Sequence, residues 1–176
     1  FSRYPEANWM HKRMLALSDR LAALPSSGRT AALTDHLYRA QANDAYWHGL
    51  FGGLYLPHLR REVYCNLLKL EAALDAVAPR PPLVVGDPDF DGVRELFLGN
   101  ADLQAVVKLD AHAALCELDA YGLAHNFGDV LTQRAEHYYH KLDAAPVAAD
   151  EGAGIASAHD RVAFKDVIGP ADIAPD

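Results

Sequence analysis

The apolar periodicity of this chain changes once, at a cluster of prolines. Residues 78–82 read Ala-Pro-Arg-Pro-Pro, and proline cannot continue a helix because it has no backbone N–H. Before this cluster, apolar residues recur every three or four positions, as they do on one face of a helix. After it they alternate with other residues, as they do in a strand. The sequence therefore predicts an α+β chain, with helices over residues 1–78 and strands over residues 79–176.

Three amphipathic helices are predicted before the prolines. The first has Pro5 in its first turn and ends at residues 25–28, and Ser26 or Ser27 is expected to cap the next helix. The second runs from about Thr30 into Ala40, and the third has Pro57 in its first turn. The apolar stripes are Met10, Met14, Leu17, Leu21 and Leu24 on the first helix, and Leu59, Val63, Leu67, Leu70, Leu74 and Val77 on the third. Short joins between such helices predict a three-helix bundle.

Strand candidates follow the prolines at residues 93–98, 103–109, 114–118 and 161–164. The clearest alternation is that of Leu103, Ala105, Val107 and Leu109. Short strands of this number would form a thin sheet with exposed edges.

Residues 41–58 carry the strongest chemical signal. They read Gln-Ala-Asn-Asp-Ala-Tyr-Trp-His-Gly-Leu-Phe-Gly-Gly-Leu-Tyr-Leu-Pro-His. Glycine costs ~1 kcal/mol in a helix interior, so three glycines here argue against an ordinary core helix. A flat aromatic ring beside a carboxylate and hydrogen-bonding groups suits a sugar, and glycines allow a close backbone approach.

The same stretch resembles a motif of glycoside hydrolase family 57, in its 4-α-glucanotransferase and α-amylase branch. Residues 40–60 fit that motif nearly throughout, with Ala42 where the family has Cys. Residues 3–14 resemble the segment upstream of the motif, and residues 89–92, 117–119 and 159–162 resemble the start of the β-sandwich that follows it. The resemblance implies the family's helical central domain over residues 1–78 and a truncated beginning of its C-terminal β-sandwich over residues 79–176.

Four residues of the motif are candidates for substrate binding. Trp47 fits a sugar platform, although a lone tryptophan beside a helix is more often a core residue. The resemblance places Asp44 at the edge of the glucan site as a supporting carboxylate, while a helix cap or surface charge is its plainer reading. His48 is equally compatible with a sugar contact and with a buried structural role, and Asn43 either binds hydroxyls or holds the turn.

No catalytic residue is predicted in this chain. Retaining glycoside chemistry needs two carboxylates ~5 Å apart. The resemblance implies that both lie on an N-terminal (β/α)₇ barrel, which this sequence does not contain. Glu62 and Glu71 are interpreted as solvated surface charges of the third helix.

Residues 87–92 fit the opening of a calcium loop, with Asp87, Asp89 and Asp91 on alternate positions before Gly92. The twelfth loop position is Leu98, where an EF-hand has a bidentate Glu, and no flanking helices are predicted. An acidic turn that opens a strand is therefore favoured over bound calcium, and no cofactor is expected. His137 and His140 are interpreted as a surface pair rather than a zinc site.

Charge and composition exclude several other classes of protein. The net charge of −8 divides into +2 over residues 1–78 and −10 over residues 79–176, without a basic patch for nucleic acid. No apolar run approaches the ~20 residues of a membrane helix. Cys65 and Cys116 lie far apart and predict free thiols, which fit a cytoplasmic protein. The chain begins with Phe1, which indicates a piece of a longer protein.

Two functions follow from the sequence, beside a third reading as a decayed or truncated gene product without activity. The first is a non-catalytic segment of an α-1,4-glucan-active enzyme, which completes a cleft for glucan or maltooligosaccharide beside the barrel. The alternative is a stand-alone module that binds carbohydrate or docks a partner without catalysis. The sequence does not separate hydrolysis from glucan transfer.

Overall fold

The fold consists of three helices followed by a single antiparallel sheet. The computed structural model describes residues 3–48 and 52–136. The elements are α1 (Pro5–Ala23), α2 (Ala31–Ala40), α3 (Pro57–Val77), β1 (Leu83–Gly86), β2 (Glu95–Gly99), β3 (Leu103–Lys108), β4 (Leu115–Ala120) and β5 (His125–Asn126). The five strands lie in chain order, each antiparallel to the next. The α+β class is confirmed, and helices and sheet belong to one compact unit that ends at Val130.

The helices begin where the sequence predicts. Pro5 and Pro57 stand at the starts of α1 and α3, where a missing N–H costs nothing. The cap of α2 is Thr30, whose hydroxyl accepts from the Leu33 N–H at 3.3 Å, and not Ser26 or Ser27. The centres of both apolar stripes are buried, and Val77 at the end of α3 is exposed. No described helix is long and apolar enough to cross a membrane.

The strands were predicted less completely than the helices. β2, β3 and β4 match three of the candidates, with ends that differ by one or two residues. β1 and β5 were not predicted, because β1 starts one residue after the prolines and β5 has two residues. The candidate strand at residues 161–164 and the pair His137 and His140 lie outside the described residues.

The two faces of the sheet have opposite chemistry. Pairing aligns the residues of one face in rows, because alternate side chains point the same way. The face toward the helices carries Glu95, Phe97, Gln104, Val106, Glu117 and Asp119, whereas the outer face carries Leu83, Val85, Leu96, Leu98, Leu103, Ala105, Val107, Leu115, Leu118 and Ala120. The buried face is therefore the polar one, and six residues of the outer face are exposed large hydrophobics: Leu83, Val85, Leu98, Leu103, Leu115 and Leu118.

Candidate functional site

The motif loop is held together by one close backbone approach. A 3₁₀ turn, Asn43–Tyr46, is followed by Trp47 in an extended conformation. The Leu54 N–H donates to the Trp47 carbonyl at 2.9 Å. Gly53 has φ +51°, and a Cβ there would lie 2.1 Å from the Trp47 oxygen. Only glycine permits this contact, which accounts for one of the glycines that mark the motif.

Three of the four candidate binding residues lie exposed on this loop. Trp47 is 50% exposed, and Asn43 and Asp44 precede it, also exposed. In the described part of the chain, the side chains of Asn43 and Asp44 make no hydrogen bond or ion pair within the loop. Trp47 is thus not a core residue, and an aromatic ring, a carboxylate and an amide are available on one loop.

His48 has a different setting from its neighbours. It is half-buried, its Nδ1 lies 3.1 Å from the Gly52 carbonyl oxygen, and its ring meets the edge of Tyr55 at 4.7 Å. Tyr46 is buried and donates its hydroxyl to the Ala40 carbonyl at 2.6 Å, and burial raises its pKa. Through these contacts His48 and Tyr46 stabilise the conformation of the loop. Residues 49–51 of the motif lie outside the described residues.

Glu71 is not a surface charge: its interpretation as one was wrong. It is 1% exposed and lies where α1, α3 and the sheet meet. Its carboxylate accepts two hydrogen bonds from the Arg13 guanidinium, at 3.0 and 2.8 Å, one from Gln104 at 3.1 Å and one from Tyr121 at 3.0 Å. Although burial opposes ionisation, Arg13, Arg80 and the hydrogen bonds lower the pKa of Glu71 to about 2.

Two further carboxylates complete this buried network, and both come from β4. Glu117 accepts from the Arg13 Nε at 3.2 Å and from the Trp9 indole N–H at 2.5 Å. Asp119 accepts from Gln104 at 3.0 Å, and burial together with the Glu117 carboxylate raises its pKa well above the usual range. Both acids are fully buried, so a polysaccharide cannot reach them. They join the helices to the sheet and are unsuited to glycoside chemistry.

The acidic loop at residues 87–92 is a hydrogen-bonded turn with an internal cation. Asp87 accepts from the backbone N–H groups of Asp91 and Gly92. The Lys108 ammonium pairs with Asp91 and lies 3.7 Å from Asp89 and 3.6 Å from Glu95. Oxygens of Asp87, Asp89 and Glu95 converge within 4.8 Å, so Glu95 replaces Asp91 in the candidate ligand set.

Glu95 is the carboxylate of this cluster that the sequence analysis missed. It is fully buried, and neither of its oxygens has a hydrogen-bond partner in the described part of the chain. Burial and the Asp89 carboxylate raise the pKa of Glu95 to about 7. The sequence shows only a glutamate in one apolar strand segment and a lysine in the next, and the pairing of Glu95 with Lys108 appears in the strand register.

The described fold is a helical bundle joined through a polar junction to an antiparallel sheet, with an exposed aromatic loop on the bundle. The chain belongs to the α-amylase/4-α-glucanotransferase family. The model of that family's middle domain matches residues 1–74, and the model of its C-terminal domain matches residues 87–176. The resemblance read from residues 40–60 is thereby confirmed.

Individual relatives agree with this assignment. The chain is 42% identical over 160 residues to an α-amylase of Pyrococcus abyssi and to a 4-α-glucanotransferase of Thermococcus kodakarensis, over 91% of its own length and 23% of theirs. Its fold is similar to the crystal structure of the 4-α-glucanotransferase from Thermococcus litoralis, with a TM-score of 0.68 and 40% identity over 80% of this chain and 20% of that one. The chain thus spans less than a quarter of the length of these relatives.

Proposed function

We propose that this chain is a non-catalytic part of an α-1,4-glucan-active enzyme and that its motif loop completes the glucan-binding cleft beside an N-terminal (β/α)₇ barrel. The exposure of Trp47 carries the proposal. The exposed half of the Trp47 ring contributes nothing to the packing of the fold. A sugar ring can stack on such an aromatic face, and the neighbouring carboxylate and amide can bind its hydroxyls. The names of the relatives support an α-1,4-glucan or maltooligosaccharide as the ligand.

Asn43 and Asp44 are proposed to form hydrogen bonds with sugar hydroxyls beside Trp47. Among the described residues of the loop Asp44 has no counterion, so its charge is available to orient a hydroxyl or a catalytic group of the barrel. His48 is proposed to contribute from its half-buried position, chiefly by fixing the loop. None of the four carries covalent chemistry, and the chain alone is expected not to turn over maltooligosaccharides.

The test is a titration of the chain with maltoheptaose followed by tryptophan fluorescence. We expect weak binding that perturbs Trp47 and is at least about tenfold weaker in Trp47→Ala, which corresponds to ~1.4 kcal/mol. Tyr38→Ala removes another exposed aromatic, 66% exposed on α2, and serves as the matched control. Unchanged binding in Trp47→Ala would contradict the proposal.

The strength of binding separates the two functions. A cleft that is completed by a barrel leaves the isolated chain with few contacts, so its affinity should rise steeply when the barrel is present. Tight binding by the chain alone, unchanged by the barrel, would favour the stand-alone carbohydrate-binding module. No binding, with capture of a protein partner at the loop, would favour a docking module.

The sheet is proposed to be one layer of a β-sandwich that occupies residues 79–176 and continues beyond them. The apolar outer face supports this, because a solvated face of an antiparallel sheet normally carries polar residues. Leu98→Lys should reduce dye binding to exposed apolar surface, because Leu98 is 42% exposed on this face. A cytoplasmic location is also proposed, on the support of the free thiols of Cys65 and Cys116.

A further inference from the structure

Arg60, at the start of α3, connects the motif loop to the end of the sheet. Its side chain is 8% exposed. One terminal nitrogen, Nη1, donates to the Leu54 carbonyl at 2.6 Å, and Nε donates to the Asp129 carboxylate at 2.8 Å. A single buried guanidinium thus bonds the backbone of the loop and an acid that follows β5.

Leu54 links Arg60 to Trp47 through two hydrogen bonds of its backbone. Leu54 is fully buried, and while its carbonyl accepts from Arg60 its N–H donates to the Trp47 carbonyl at 2.9 Å. The peptide groups on either side of Leu54 are therefore both fixed, one by Arg60 and one by Trp47. Two hydrogen bonds separate Arg60 from the backbone of the exposed tryptophan.

Asp129 is held as firmly on the side of the sheet. Gly128 precedes it, and a Cβ on Gly128 would lie 3.0 Å from the Cys116 carbonyl oxygen of β4. The Asn126 side chain, 2% exposed, accepts from the Gly128 N–H at 2.7 Å and from the Leu118 N–H at 3.1 Å. The turn that presents Asp129 is thus packed onto β4.

We propose that Asp129 is a positioning residue, which acts through Arg60 and Leu54 to set the orientation of Trp47 and so of the sugar contact; this rests on the proposed function. The sheet then has a role in substrate binding without touching substrate. Packing covers only about half of the Trp47 side chain, so a fixed backbone also limits the orientations of its ring. Preorganisation of this kind raises affinity by removing the cost of ordering the loop.

The test uses ¹⁹F NMR of the chain labelled with 5-fluorotryptophan. The chain has two tryptophans, Trp9 and Trp47, and the signal that is lost in Trp47→Phe belongs to Trp47. Trp9 is bonded to the buried network and reports the fold. In Asp129→Asn we expect a shifted or broadened Trp47 signal, an unchanged Trp9 signal and several-fold weaker maltoheptaose binding. Arg60→Lys keeps the charge but cannot make both bonds in the same geometry, and should give the same Trp47 change.

The matched control is Asp35→Asn, which removes the same charge from an exposed pair with Arg39 at 2.8 Å. It should leave both signals unchanged. A purely structural role of Asp129 predicts lower thermal stability with the Trp47 signal intact, and that result would overturn the inference. If maltoheptaose perturbs Trp47 in the parent chain while Asp129→Asn leaves both signal and affinity unchanged, the inference fails and the proposed function stands. If Asp129→Asn moves Trp47 but no sugar binds to either chain, the proposed function fails.

Discussion

The buried pair of Arg13 and Glu71 gives the sharpest quantitative prediction. Glu71→Gln keeps the shape of the side chain but leaves the Arg13 guanidinium, 3% exposed, with one carboxylate fewer. Removing one partner of a buried ion pair costs about 3–5 kcal/mol. The pKa of Glu71 leads to a similar figure: a decrease from 4.5 to about 2 corresponds to about 3 kcal/mol of stabilisation. We expect a loss of this size in the free energy of unfolding at neutral pH.

The assay is urea unfolding of both chains across pH. Because the folded-state pKa of Glu71 is lowered, its stabilising effect is present above the unfolded pKa of about 4.5 and is lost as pH falls toward about 2. The difference between the parent chain and Glu71→Gln should therefore shrink through this range. Glu62→Gln, at an exposed position on the same helix, is the control. A loss below about 1 kcal/mol, or a difference that does not depend on pH, would refute the reasoning.

Three further predictions concern the acidic turn and the motif loop. Since the pKa of Glu95 is raised to about 7, its ionisation destabilises the fold as pH rises. Glu95→Gln should therefore raise the melting temperature at about pH 9 and not at about pH 5. Equal shifts of the melting temperature at both pH values would contradict this. Calorimetry at physiological salt should find no tight calcium site, because Lys108 already pairs with the cluster; a one-to-one micromolar site lost in Asp89→Ala would show otherwise. Asp44→Asn should weaken maltoheptaose binding without changing the thermal midpoint, and full binding would make Asp44 a surface charge.

The helices could be predicted from sequence because their signals are local. The proline at each first turn and the apolar spacing fixed the starts and the buried stripes of α1 and α3 without reference to the rest of the fold. Trp47 could likewise be singled out, because glycines and polar residues beside an aromatic are visible within a few positions. Its exposure agrees with the choice of the motif as a candidate site, although the binding role stays a prediction.

The polar junction could not be predicted by the same reasoning. Periodicity assigns acids to water, so Glu71, next to the stripe residue Leu70, was interpreted as solvated. Glu117 and Asp119 alternate with Leu118, a pattern that normally directs the leucine inward, and in this sheet the acids are the buried residues. Their partner, Arg13, is 104 residues from Glu117 in sequence, and no local pattern relates the two. Arg60 and Asp129 escaped notice for the same reason, at a separation of 69 residues.

The inverted faces of the sheet have a consequence for how its strands find their partners. A slip of one residue exchanges the two faces of a strand. In β4 such a slip would place leucines against Arg13 and move Glu117 and Asp119 to the opposite face, so the Arg13 Nε would lose its carboxylate partner and the guanidinium would keep only Glu71. In an ordinary sheet with leucines on both faces, the same slip would lose only part of the packing. The buried charges thus make misalignment of β4 costly and favour the observed register of this short-stranded sheet.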